Sequence, residues 1–187
     1  MLTPQTFHTA PFAVHIELGD DIYQFHDDGR LNIARFNSAY EHASRLFNAL
    51  FEPTDDITLV VNSYPASRKT TYPNVFKRYV KTPRNKYALR LHEFTWTFDG
   101  EDIAVQQMSL RCHAADIRSS PLLRALIHED FRSLTPQLRN KHAVFSPDVF
   151  FVNERTHCIF HVYDDRGCEV MSMNEAAGAH IAPLLPK

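Results

Sequence analysis

The chain has 187 residues, of which 44% are hydrophobic and 22% are charged, and its formal net charge is −2. This length and composition suit one folded domain with its own core, and they argue against a disordered protein. The charge is unevenly distributed, because residues 1–56 carry nine acids and three bases, whereas residues 57–92 carry eight bases and no acid. Such asymmetry is typical of a protein with a partner-binding surface.

Several classes of protein are disfavoured by motifs that the sequence lacks. The five glycines form neither GxGxxG nor GxxxxGK[ST], and there is no HExxH or GxSxG motif, so the common phosphate-binding loops and several hydrolase motifs are missing. No run approaches the roughly 18 apolar residues of a membrane-spanning helix, and the first residues show no signal-peptide pattern. We therefore expect a cytoplasmic protein without a membrane segment or a cofactor.

The first part of the chain alternates between strand and helix patterns. Alternating apolar residues predict a strand over 12–18. Apolar residues at three- and four-residue spacing predict a helix over 33–51, and Pro53 follows its end. The β-branched run over 57–64 predicts a central strand that is buried on both faces.

The segment from about residue 65 to 86 is polar, basic and interrupted by prolines, and we predict that it forms an exposed excursion. Its cations include Arg68, Lys69, Arg78 and Lys81. Tyrosines are interleaved with them, and such a mixture binds either an acidic protein surface or single-stranded nucleic acid. The sequence pI of about 6.6 favours a protein partner over nucleic acid.

Two long strands are predicted after the excursion, over 87–98 and 103–114. The Asp99-Gly100 pair between them is a good hairpin turn. In each strand the apolar residues change parity part of the way along, and a change of parity indicates a bulge or a bend. We therefore expect a long, twisted antiparallel hairpin.

The last part of the chain predicts a helix, a meander and a short helix. The first helix begins around Ser119-Ser120-Pro121, with Ser120 as its N-cap. Three apolar runs over 149–173 predict a three-stranded meander, and a short helix follows over 175–181 after Asn174. The whole order predicts a single α+β domain over 1–187, with a mainly antiparallel sheet and helices packed on one face.

Histidine and cysteine side chains offer no convincing catalytic or metal site. On a strand, His157 and His161 share a face but lie roughly 13 Å apart at about 3.3 Å per residue, which is too far for one zinc ion. We expect both histidines to line a half-exposed face and Cys158 to point into the core. Cys112 and His113 are neighbours on a strand, so they point to opposite faces and cannot form a catalytic pair.

Paired aspartates lie at four predicted turns, where aspartate commonly hydrogen-bonds to local backbone groups. The pair that we predict to bind a partner is Asp164-Asp165, because Arg166 follows it and a guanidinium presents a planar fork to a carboxylate. As an alternative, Asp164 and Asp165 hold a divalent metal ion, with His161 or Glu17 nearby.

Four blocks of sequence resemble a known family. The blocks are residues 14–20, 43–51, 55–61 and 150–167. Their most specific pieces are the strand end Glu17-Leu18-Gly19 and the turn Tyr163-Asp164-Asp165-Arg166-Gly167. Together they resemble the bacterial family known as domain of unknown function 3885, whereas residues 65–146 match it poorly. The resemblance implies a bacterial cytosolic protein and assigns no catalytic residue.

Two classes of function follow from these observations. The first is a protein-binding module of the toxin-neutralising (immunity) type, because such proteins are often small, motif-poor and α+β, with a polarised surface. Its partner is a protein such as a toxin, and its predicted binding residues are Arg68, Lys69, Arg78, Lys81, Asp164, Asp165 and Arg166. The alternative is a small metal-dependent hydrolase or nucleic-acid-processing enzyme that uses the Asp-Asp-Arg turn.

Overall fold

A computed structural model describes residues 1–65, 75–82, 88–138 and 145–184. Its strands are Ala13–Glu17 (β1), Asp56–Ser63 (β2), Arg90–Phe98 (β3), Glu101–His113 (β4), Asp148–Asn153 (β5), Cys158–Val162 (β6) and Gly167–Ser172 (β7). Its helices are Pro4–Thr9 (α1), Ile33–Leu50 (α2), Val75–Tyr79 (α3), Ser119–Ile127 (α4) and Glu175–Ile181 (α5). The strands form one seven-stranded sheet with the order β1-β7-β6-β5-β2-β4-β3, in which every paired strand is antiparallel.

Helices α2 and α4 cover one face of the sheet, which we call the helix face. They bury apolar stripes at three- and four-residue spacing, such as Phe36, Ala39 and Ala43 of α2, against strand residues of the same core. Strand β2 lies between β4 and β5 and is buried along most of its length. Strands β5, β6 and β7 form the meander. The structure thus confirms the predicted α+β class and the C-terminal meander.

The short helix α1 covers part of the opposite face, which we call the α1 face. Its Phe7 is 2% exposed and stacks on Phe150, with ring centroids 6.0 Å apart. The His161 ring contacts both of these rings, with centroids 5.8 Å from Phe7 and 4.5 Å from Phe150, and it is 1% exposed, so the expectation of a half-exposed His161 is wrong. Burial lowers the pKa of His161 to about 4. Sequence patterns missed α1 because its six residues bury a single apolar side chain.

The hairpin of β3 and β4 keeps one continuous register, from Arg90 opposite Ser109 to Phe98 opposite Glu101. The expected bulge is therefore not found. The apolar residues change parity because the buried side changes: Met108 belongs to the core under the helices, whereas Trp96 faces α1 and donates its indole N–H to Gln5 at 3.1 Å.

Helix α4 begins one residue earlier than its predicted cap. Its N-cap is Arg118, and Ser120 lies inside the helix with its hydroxyl 2.7 Å from that of Tyr40. Helix α5 begins as predicted, since the Asn174 side chain accepts the backbone N–H of Ala177 at 2.9 Å.

Helix α3 lies within the segment that the sequence predicts to be an exposed excursion. Its Val75, Phe76 and Tyr79 are buried in the main core, because α3 packs against α4. The flanking residues 66–74 and 83–87 lie outside the described part of the chain. Among the helices that the structure describes, none is long and apolar enough to cross a membrane.

Candidate binding site at one end of the sheet

The two most specific pieces of the family resemblance lie side by side at one end of the sheet. Glu17, the last residue of β1, is opposite Gly167 in the β1–β7 register. The next residue, Leu18, donates its backbone N–H to the carbonyl of Arg166 at 2.9 Å. The loop after β1 (residues 18–32, the β1–α2 loop) therefore begins against the turn between β6 and β7 (residues 163–166, the β6–β7 turn).

A buried ion pair joins this loop and this turn. Asp165 is fully buried, and one carboxylate oxygen accepts the Nε–H of Arg35 at 3.0 Å. The Gln24 amide donates to the same carboxylate at 2.9 and 3.0 Å. Arg35 also donates to the backbone carbonyls of Asp165 at 2.8 Å and of Asp20 at 3.0 Å. A partner-binding role predicted for the Asp165 side chain is therefore not compatible with its position, because it is enclosed by these donors.

Gly19 leaves the space that Arg35 occupies. A Cβ at this position would lie 2.6 Å from the guanidinium, and the φ of Gly19 is +81°, in the left-handed region that favours glycine. The strand end Glu17-Leu18-Gly19 is thus part of the same ion-pair arrangement.

Asp164 has its partners within the turn. It accepts the backbone N–H of Arg166 at 2.7 Å and the Nε–H of the same residue at 2.8 Å. The bond to Asp164 raises the pKa of the Arg166 guanidinium. Arg166 is more than half exposed, and its Nη2 also lies 3.6 Å from Asp130. Of Asp164, Asp165 and Arg166, the last is the one that the structure presents to solvent.

The two aspartates do not act as a pair. Asp165 points inward to Arg35, and Asp164 binds Arg166, so each carboxylate already has an arginine partner. Of the proposed helpers, Glu17 is exposed, while His161 is buried with its Nδ1 3.0 Å from the carbonyl oxygen of Val149. Within residues 1–65, 75–82, 88–138 and 145–184, no three His, Cys, Asp or Glu side chains gather in a way that could hold a metal ion.

Beside the turn, a cleft of about 370 Å³ opens at the same end of the sheet. Four aromatic rings and three acidic side chains dominate its lining. The lining residues are Pro4, Tyr64, Trp96, Phe98, Ile103, Glu129, Asp130, Phe145, Ser146 and Asp148. None of these is basic. Such a concave, mostly apolar pocket with a few convergent polar groups is the usual form of a ligand site.

The pKa values of Glu129 and Asp148 in the cleft are raised. Burial raises the pKa of Glu129 to about 8, a hydrogen bond with Ser146 opposes this, and repulsion by Asp148 adds to it. Burial likewise raises the pKa of Asp148 to about 6, although the Tyr64 hydroxyl donates a hydrogen bond to it. Perturbed carboxyl groups in a cleft mark a candidate functional site.

The cleft, the turn and the loop form one continuous surface. Asp130 lines the cleft and also faces Arg166 of the turn. The next residue, Phe131, packs against Phe25 of the β1–α2 loop, with ring centroids 5.8 Å apart. We call this surface the acidic end of the sheet.

The predicted basic residues lie elsewhere. Arg78 and Lys81 are exposed, and each donates to a backbone carbonyl of this chain, that of Gln137 at 3.4 Å and that of Ala115 at 2.7 Å. Neither residue lines the cleft or contacts the turn. Arg68 and Lys69 lie outside the described residues.

The sequence did not reveal the cleft, because its residues come from distant positions without a shared local motif. Tyr64 and Asp148, which are hydrogen-bonded in the fold, are separated by 84 residues. One usable signal was the parity change in β3, since it places Phe94, Trp96 and Phe98 on a face for which no covering helix is predicted.

Comparisons with known proteins agree with the sequence blocks. The profile of the family described as "Domain of unknown function (DUF3885)" matches residues 1–182. The chain is also 35% identical over 177 residues to the "Uncharacterized protein YnaE" of Bacillus subtilis (strain 168), with 91% of this chain and 82% of that protein covered. No solved structure matches the chain. The chain therefore belongs to the family described as domain of unknown function DUF3885.

Proposed function

We propose that this protein is a protein-binding module of the toxin-neutralising (immunity) type, and that it binds a basic surface of its partner at the acidic end of the sheet. The observation that carries this proposal is the β1–α2 loop. It exposes aromatic side chains, while hydrogen bonds to buried side chains fix its conformation. Small size, the lack of catalytic motifs and an exposed acidic loop support the type of partner by analogy.

The loop exposes two large aromatic side chains. Tyr23 is 85% exposed and Phe25 is 50% exposed. Exposed aromatic residues of this kind are the side chains that most often dominate the binding energy of protein interfaces. Residues 18–32 also contain four aspartates and one arginine, so the loop complements a basic partner.

The loop is held in one conformation before any partner binds. Arg35 donates to its backbone, and Gln24 anchors it to the buried Asp165. The carboxylate of Asp20 accepts the Ser38 hydroxyl at 2.6 Å and lies 3.3 Å from Nε2 of His42. A loop that is already ordered loses little conformational entropy on association, which favours binding.

Affinity capture from the source organism, after nuclease treatment, tests the proposal. We expect the wild-type protein to retain one protein in stoichiometric amount, and the Tyr23→Ala variant to lose it without a change in thermal stability. Co-expression of the captured protein should arrest growth, and the wild-type chain should restore it. Absence of any stoichiometric partner, or a partner without toxicity, would contradict the proposed type.

The double charge reversal Arg78→Glu/Lys81→Glu provides the matched control. These side chains lie outside the acidic end, so the variant should retain the partner. If this variant loses the partner while Tyr23→Ala keeps it, the basic residues predicted from the sequence form the interface and the acidic end does not.

A further inference from the structure

We infer that the cleft binds one cationic side chain, a lysine or an arginine, of the partner protein. This inference rests on the proposed function and adds a ligand class for the cleft. Three features carry it: the aromatic walls, the facing carboxyl groups, and the lack of a basic side chain among the described lining residues.

The aromatic walls form a fixed half-cage. Tyr64 packs against Trp96 and Phe145 with ring centroids 6.1 and 5.8 Å away, and Trp96 packs against Phe98 at 5.0 Å. Hydrogen bonds to Gln5 and Asp148 hold the Trp96 indole and the Tyr64 hydroxyl. Cations are attracted to the faces of such rings, and aromatic cages are a recurrent way to bind ammonium groups.

The carboxyl groups of the cleft supply the negative charge that attracts a cation. Glu129, Asp130 and Asp148 line the cleft, and the charge of Asp164 also acts on Glu129. Arg166, 3.6 Å from Asp130, already binds Asp164. Partly desolvated carboxylates close to one another repel, so an entering cation relieves this repulsion.

The cleft is open enough for a side chain to enter. Phe98 is 52% exposed and Phe145 is 47% exposed, so the aromatic wall reaches the surface. The volume of about 370 Å³ lies in the range of small-ligand pockets. A charged head group fits there while the backbone of its protein stays outside, on the acidic end of the sheet.

Trp96 makes this inference directly measurable, because it is the sole tryptophan in the sequence. Its fluorescence can be titrated with Nα-acetyl-arginine methylamide, Nα-acetyl-lysine methylamide and the neutral isostere Nα-acetyl-citrulline methylamide, at constant ionic strength. We expect saturable changes with a cationic probe at roughly 1–10 mM, as suits so small a ligand. The citrulline probe should bind roughly tenfold more weakly or not at all, because it lacks the charge.

Isosteric variants test the role of the carboxyl groups. Glu129→Gln and Asp148→Asn should each weaken binding of the cationic probe by roughly tenfold. The matched control is Glu41→Gln, which makes the same charge change at an exposed residue of α2. Binding to the wild type should also strengthen between pH 6 and pH 8, since a cation favours the ionised carboxyl group, and Glu129→Gln should reduce this pH dependence.

Two outcomes would overturn the inference. Equal binding of the citrulline probe would show that the cleft takes a neutral ligand, and the absence of saturation up to about 50 mM for both cationic probes would exclude a cation site. The proposed function fails separately. A partner captured through Tyr23 without probe binding removes the cation site alone, whereas probe binding without a protein partner removes the immunity role and leaves a cation-binding cleft.

Discussion

At the scale of single residues, Asp165 is the most consequential side chain of the acidic end. It connects segments that are 130 and 141 residues apart in the chain, because Arg35 and Gln24 both donate to it. A buried ion pair contributes little net stability compared with apolar residues of the same shape. Loss of one partner is nevertheless severe, because the other charge stays buried without compensation.

We predict that Asp165→Ala lowers the free energy of unfolding by roughly 3–5 kcal/mol. Urea denaturation followed by circular dichroism measures this change. The control is Asp28→Ala, since Asp28 pairs with Arg30 on the exposed surface, where an ion pair contributes little. If the two variants unfold at the same urea concentration, the Arg35–Asp165 pair does not hold the loop and the turn together.

The sequence predicted a functional turn at Asp164-Asp165-Arg166 but not the direction of its side chains. Asp-Asp pairs favour turns through local hydrogen bonds, which is a property of neighbouring residues. Whether an aspartate of a turn faces solvent depends on what lies beneath it, and here that residue is Arg35 of α2. Residue type and spacing within the turn carry no information about such a distant partner.

At the scale of elements, periodicity predicted those segments that are long enough to show it. The 18-residue helix α2 and the meander strands were found because apolar residues repeat along them. Helix α1 was missed because it is short, and the burial of His161 beneath it was therefore missed as well. The cleft was missed because α1, α4, β2, β3, β4 and β5 or their flanks each contribute one to three residues, and no element carries a pattern for it.

Two glycines allow a sharp test of element packing. We predict that Gly178→Ala in α5 raises the free energy of unfolding by about 0.5–1 kcal/mol, because alanine favours helix and the nearest atom lies 3.6 Å from the added Cβ. Gly167→Ala at the start of β7 should instead lower it by about 1–3 kcal/mol, because the new Cβ overlaps Tyr163 and lies 3.0 Å from His15. Thermal and urea unfolding measure both changes. Similar effects of the two substitutions would contradict the close approach of Tyr163 and His15 to Gly167.

At the scale of the whole molecule, buried ionisable groups give stability a dependence on pH. Burial lowers the pKa of His161 from 6.5 to about 4, so this group weakens the fold as pH falls below 6.5. Burial raises the pKa of Glu129 from 4.5 to about 8, so this group weakens the fold as pH rises through that range. Between pH 7 and pH 8, His161 is mostly neutral in both the folded and the unfolded state, so the Glu129 contribution dominates.

We predict that the free energy of unfolding falls as pH rises from 7 to 8, with a slope of at most about 1.4 kcal/mol per pH unit for a single group. Urea titrations at several pH values measure this slope. Glu129→Gln should flatten it, because glutamine does not ionise, whereas Glu41→Gln should leave it unchanged. A flat profile in the wild type would show that Glu129 is ionised at no cost in the cleft.

The position of Gly19 against Arg35 bears on how other members of the family should be compared. The two sequence pieces by which this chain is recognised meet in that contact and in the ion pair behind it, and both serve to assemble the scaffold. A search with these pieces therefore collects chains with the same scaffold, and it gives no information about the partner that each of them binds. Relatives are better sorted into specificity groups by the residues equivalent to Tyr23, Trp96 and Glu129, which lie on the proposed binding surface.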